Sequence, residues 1–201
     1  MEKIKTADVS CEFGSEVAVP RRKFFVQGGL YAMGALTAAT LVQPAIALAK
    51  TALTSNTDDI AILNAALALE FQAIAAYQLG AESNLLQKPV LDLALKFQGH
   101  HKAHADALAI TIETIGGTAV ATKTLAQYAF PVDQLKSQAD VIMFAAGLEK
   151  GAASTYLHAL SSFHNKRLIK GAGSILGDET MHWAILQNAL GLDPVPVAFI
   201  D

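Results

Sequence analysis

The chain has 201 residues, 52% of them hydrophobic and 16% charged, with a net charge of -3. That is enough for one domain with a sizeable core, and it is far from the composition of a disordered segment. No basic surplus is available to neutralise phosphates, which argues against nucleic acid as a partner. The single cysteine, Cys11, excludes an intramolecular disulfide and a thiolate metal site.

Residues 1–49 read as an N-terminal extension. Pro20-Arg21-Arg22-Lys23-Phe24-Phe25 opens an apolar stretch that continues to Val42, and Ala45-Ile46-Ala47 and Ala47-Leu48-Ala49 follow as small-residue cleavage patterns. A charged region, an apolar region and a small-residue site make a signal peptide. The paired arginines resemble a twin-arginine export signal. A general secretory signal and an uncleaved anchor are the alternatives. The expected destination is the periplasm or an equivalent extracytoplasmic compartment, with the membrane met only through the signal segment. No later segment is expected to span a bilayer.

Residues 50–56 read as a polar linker, and residues 57–192 as four helices. Thr57-Asp58-Asp59 supplies an N-cap and an acidic first turn. The first helical pattern runs to about Ser83 through Ile60, Leu63, Leu67, Phe71, Ile74 and Leu79. Pro89 is placed to open the second helix, and Gly116-Gly117 to stop it. Residues 117–136 lack clean periodicity and read as a long connection. The third helix starts near Ser137, with Asp140 as its capping-box acid, and runs to about Phe163. The fourth runs from about Arg167 to Leu190 and ends at Gly191. Residues 193–201 form a tail that its prolines keep non-helical. The fold class is all-α: two helical hairpins joined by a long crossover.

A doubled motif carries the chemistry. Leu69-Glu70-Phe71-Gln72-Ala73 through Tyr77 and Leu148-Glu149-Lys150-Gly151-Ala152 through Tyr156 both read Leu-Glu-x-x-Ala-x-x-x-Tyr, and the glutamates are 79 residues apart. Glu179-x-x-His182 on the fourth helix is matched by His101-x-x-His104 on the second, at an offset of 78. Two motifs at nearly one offset imply two similar hairpins about a pseudo-twofold axis. Residues three apart share a helix face. One Glu from each of two helices plus a Glu-x-x-His from each of the others is a di-metal carboxylate arrangement. The expected ligands are Glu70, His101, His104, Glu149, Glu179 and His182. His101 stands where a bridging carboxylate belongs, and imidazole does not normally bridge; a place behind the ligands or facing solvent is its alternative reading.

Tyr77 and Tyr156 lie two turns beyond their glutamates, where a phenol can hold a ligand carboxylate or assist proton transfer. Packing the core is the alternative. Asp178 and its repeat equivalent His100 are lesser candidates for holding a ligand imidazole. His158 falls on the opposite face from Glu149, and His164 in a loop. Trp183, Met143 and Met181 read as core packing. Gly171, Gly173 and Gly177 read as points of close helix contact.

With these motifs, the Ser174-Ile175-Leu176-Gly177-Asp178-Glu179 approach and the Pro194-x-Pro196-x-x-Phe199 tail, the chain resembles the exported ferritin-like domain proteins, akin to the desiccation-related ferritin-like family, over roughly residues 55–200. His101 departs from the Glu of the wider superfamily. The resemblance implies a ferritin-like four-helix bundle holding two transition-metal ions, iron or manganese, with zinc fitting the same donors. The leading functional reading is a redox enzyme acting on peroxide or oxygen in stress protection. An exported stress or interaction protein with a structural or absent metal is the alternative, and iron storage is less favoured. A small-molecule oxidant is the expected partner, and a homodimer is compatible with the reading.

Overall fold

The computed structural model describes the backbone of residues 42–200 and the side chains of residues 56–200. The signal expected over residues 1–49 lies outside the described residues as far as Leu41; from Val42 its backbone is helical and continuous with the first helix. That helix, α1, spans Val42–Glu82, followed by α2 (Lys88–Thr114), α3 (Gln138–Leu160) and α4 (Lys166–Ala189). Among the described residues there is no strand.

The helix ends follow from local chemistry. Gln87 precedes α2, and Pro89 lies in its first turn, where its missing N–H has no helical partner to lose. Gly116, at φ +86°, ends α2. The Gly117 N–H reaches the Ile112 carbonyl at 2.8 Å and the Gly116 N–H reaches Glu113 at 3.0 Å, the paired bonds of a Schellman stop. Gly191, at φ +72°, ends α4 in the same way, with Leu192 bonded to Gln187 and Gly191 to Asn188, both at 3.0 Å. Ser137 caps α3 and accepts from the Asp140 N–H, as its sequence position implies. Asn165 caps α4 through the Arg167 N–H.

The start of α1 differs from the expectation. Residues 50–56 are helical rather than a linker, and Thr57 lies inside α1 rather than capping it. No Gly or Pro interrupts that stretch, so nothing stops the helix from extending toward the N-terminus. Asn56–Glu82 also contains a window of mean hydropathy 1.6, long and apolar enough to cross a bilayer, contrary to the reading that no such segment follows the signal. In this fold it is a core helix packed against α2 and α3.

The main packing partners are α1 with α2 and α3 with α4, with lighter contact between α1 and α3 and between α2 and α4. The chain is thus two hairpins with short turns, joined by a crossover that holds only two 3₁₀ helices, Leu125–Tyr128 and Val132–Gln134. Asp59 ties the hairpins at one end. Fully buried on α1, its carboxylate accepts the His164 and Asn165 N–H groups at 2.8 and 2.9 Å, at the turn into α4.

Candidate metal centre

Each helix passes through three layers. At one end Leu63, Leu67, Leu108, Ile112, Leu168 and Ile175 form an apolar cluster. At the other end Phe97, Ile142, Trp183 and Leu186 form a second. Between them, every helix contributes polar side chains: Glu70 from α1, His101 and His104 from α2, Glu149 from α3, Glu179 and His182 from α4. All are fully buried except His104, whose side chain is 16% exposed. Burying three carboxylates without partners would cost several kcal/mol each. The layer is tolerable only because its members converge on one another.

They converge as two overlapping sets. Glu70, His101, His104 and Glu179 bring ligand atoms to within 4.8 Å of one another, and so do His101, Glu149, Glu179 and His182. Glu179 and His101 belong to both. In the first set, His104 Nδ1 lies 3.2 Å from Glu179 Oε1 and 3.5 Å from Glu70 Oε2. In the second, His182 Nδ1 lies 3.3 Å from Glu149 Oε2. His101 stands between the sets, Nδ1 at 2.8 Å from Glu70 Oε2 and Nε2 at 3.2 Å from Glu149 Oε1. All six sequence-predicted ligands are therefore brought together.

The protonation pattern follows from this crowding. Burial pushes Glu70 and Glu149 upward, but hydrogen bonds from His101 to both and from His182 to Glu149, with the His104 ring beside Glu70, outweigh it and hold both carboxyls below the usual range. Burial pulls His101 down, yet its bonds to Glu149 and Glu70 raise it to about 10. His104, likewise opposed by burial, is raised to about 11 by Asp178, Glu179 and Glu70. Burial, reinforced by Glu149 and Glu70, lifts Glu179 to about 9. At neutral pH and without metal, two anionic carboxylates face two imidazoliums, and Glu179 keeps its proton.

Asp178 has a larger role than its position in sequence implies. Its Oδ2 lies 3.3 Å from His104 Nε2, 3.4 Å from His182 Nε2 and 3.0 Å from His100 Nδ1. One carboxylate thus faces the outer nitrogens of both terminal histidines, leaving each Nδ1 for the centre, an arrangement that fixes tautomer and ring angle. Burial opposes its ionisation, but the histidines hold Asp178 below the ordinary carboxylate range. His100 also lies against His182, Nδ1 to Nε2 at 2.9 Å. Phe97 stacks on the His182 ring at 4.0 Å between centroids, a positioning contact that motif spacing does not reveal.

The two tyrosines cross over. Tyr77 donates to Glu149, not to the glutamate of its own helix, and Tyr156 donates to Glu70 Oε1 at 2.6 Å. Burial first, then the adjacent glutamates, push both phenols well above their ordinary value, so each remains a donor.

Other expectations divide. Trp183 is core, but Met143 and Met181 are exposed, so their packing reading is wrong; both sit on the outer face of their helices. A Cβ at Gly173 or Gly177 would meet nothing within 4 Å, so those glycines do not mark close contact. His158 is exposed and bonds its own helix at the Ser154 carbonyl. His164 is exposed in the α3–α4 turn.

A cavity of about 200 Å³ lies between α1 and α3, lined by Gln72, Ala73, Gly147 and Gly151, and reaches His101 and Glu149. A Cβ at Gly147 or Gly151 would again meet nothing within 4 Å.

The donor set fits metal ions. Among buried side chains, His104 Nδ1 and both oxygens of Glu179 make no aligned hydrogen bond, although His104 and Glu179 are in contact. An unmet buried polar atom costs about 1–3 kcal/mol, and His104 Nδ1 lies 3.2 Å from one of the two Glu179 oxygens. Imidazole nitrogens with carboxylate oxygens suit iron, manganese or zinc.

Comparison with known proteins agrees on the fold. Residues 58–192 match the ferritin-like domain family. No curated protein matches the chain. The conserved hypothetical protein rv2844 from Mycobacterium tuberculosis superposes with a TM-score of 0.62 at 24% identity, covering 72% of this chain and 99% of that one. A structure described as ferritin like, diiron-carboxylate proteins from Bacillus anthracis str. Ames superposes with a TM-score of 0.58 at 22% identity, covering 68% and 97%. The matched residues take in all four helices of the bundle and every residue of its polar layer, and the chain belongs to the ferritin-like domain family.

Proposed function

We propose that this is an exported, desiccation-related ferritin-like protein whose di-metal centre, loaded with iron or manganese, consumes peroxide or oxygen in stress protection. The observation that carries the reading is the pair of overlapping four-residue sets sharing Glu179 and His101. The cavity reaches Glu149 and His101, which supports access of a small molecule to the centre.

Glu70 and His104 would hold one ion, Glu149 and His182 the other, with Glu179 common to both. Bound iron or manganese supplies the redox chemistry. Asp178 keeps both terminal histidines in one tautomer. The Tyr156 hydroxyl fixes the Glu70 oxygen opposite the one that meets His101 and His104, and the Tyr77 hydroxyl holds the Glu149 oxygen that also meets His101. The apolar layers at either end exclude bulk water and strengthen every charge interaction within.

The test is metal content and peroxide consumption of the purified full chain. Two irons or manganeses per chain, with peroxide or oxygen turnover lost in Glu149→Ala, is the expected result. Two tightly held ions with no turnover would instead favour a structural metal. Fewer than one ion per chain would overturn the metal reading.

A further inference from the structure

The unusual member of the centre is His101, where the helix pattern calls for a carboxylate. Its ring neither turns away from the site nor faces one half of it. Nδ1 lies against Glu70 at 2.8 Å and Glu179 at 3.7 Å, while Nε2 lies against Glu149 at 3.2 Å. Each ring nitrogen therefore points into a different four-residue set. The ring is fully buried and lies against Tyr77, His104 and His182. It has no solvent-facing nitrogen to spare.

We propose that His101 joins the two metal ions through both ring nitrogens, as a bridging imidazolate, so that the centre is held by one imidazolate bridge and one carboxylate bridge from Glu179. This rests on the di-metal reading above and specifies its geometry. On loading, each N–H bond of His101 is exchanged for an N–metal bond, and both protons pass to solvent. The ring then carries one negative charge, the same as the carboxylate it replaces, so the charge of the centre is conserved although the residue type is not.

The consequence is distance. Metal–nitrogen bonds of about 2.1 Å on either side of one ring hold the ions about 6 Å apart, against about 3.5–4 Å in ordinary two-metal sites. Ions so separated cannot share a single oxygen atom.

The experiment is anomalous diffraction from crystals of the full chain loaded with Mn(II), or with Zn(II) if Mn(II) is not retained. Two peaks about 6 Å apart with the His101 ring between them are expected. In His101→Glu, a carboxylate takes the bridge and the peaks should close to about 3.5–4 Å. Two peaks at the shorter distance in the unaltered chain, or a His101 ring in contact with one ion only, would overturn the bridge and leave the di-metal reading standing. Fewer than two ions would overturn both. The unaltered chain decides the matter alone if His101→Glu does not fold.

Discussion

Tyr156 on α3 donates its hydroxyl to Oε1 of Glu70 on α1 at 2.6 Å, and Tyr77 on α1 makes the reciprocal bond to Glu149 on α3. The glutamate of each hairpin is held by the tyrosine of the other. The doubled sequence motif is therefore one interlocked unit rather than two independent ones.

Removing one hydroxyl leaves a buried carboxylate oxygen without its donor. Tyr156→Phe should lower stability by about 1.5–3 kcal/mol, the range for hydrogen bonds to charged groups. Its metal affinity should fall by about 10–100-fold, as for other outer partners of ligands. Denaturant unfolding and competition with a chelator measure the two effects. An unchanged unfolding midpoint would mean that the hydroxyl contributes nothing to the fold.

Glu179 separates stability from metal binding. It keeps its proton to about pH 9, and neither oxygen makes an aligned hydrogen bond. Glu179→Gln should therefore leave the metal-free protein at pH 7 close to its original stability while binding at most one ion. Melting in chelator and a metal count check this. A variant that retains both ions would remove Glu179 from the bridging position.

The metal-free protein should be most stable in mild acid. His101 and His104 hold their protons to about pH 10 and 11 in the fold, against 6.5 for the ordinary imidazole. Both are raised, so their contribution is complete below pH 6.5 and is lost as pH rises through those values. Glu179 is raised from 4.5 to about 9 and acts with the same sign over that window. Glu70 and Glu149 are lowered, so their contribution is present above pH 4.5 and is lost on acidification well below it. The maximum falls between 4.5 and 6.5. Metal affinity should move the other way and strengthen with pH, because the ions displace protons. Melting curves in chelator from pH 4 to 10 provide the check; a midpoint that climbs between pH 7 and 9 would contradict it.

Gly151 lies on the cavity wall, where a Cβ meets nothing. Gly151→Leu should raise helix stability by roughly 0.5–1 kcal/mol, since glycine is a poor helix former, yet slow peroxide consumption by narrowing the route to Glu149. Metal content should not change. Unaltered turnover in a normally loaded variant would show that the oxidant enters elsewhere.

The four helices, most of their ends and the six side chains that cluster between them were legible in the sequence, because each rests on local chemistry: glycines at φ +86° and +72°, Ser137 at an N-cap, and three-residue spacing on one face. What was not legible depends on the partner helix. Spacing places Tyr77 on the face of Glu70, but the packing of α1 on α3 decides that it serves Glu149. The same holds for Asp178, which faces His104 and His182 at once, and for Phe97 beneath His182. Asp59 reads as a first-turn acid of α1, yet its carboxylate closes the far turn into α4. The long start of α1 was missed because polar residues were read as a break where no helix breaker exists.

The apolar clusters on either side of the polar layer have a consequence for the life of the protein. Each end of the bundle has its own core, and Asp59 clasps one of them. The two apolar cores therefore form without any contribution from metal. On the exported, metal-loaded reading proposed above, such a chain would cross the membrane folded and take its ions on whichever side supplies them.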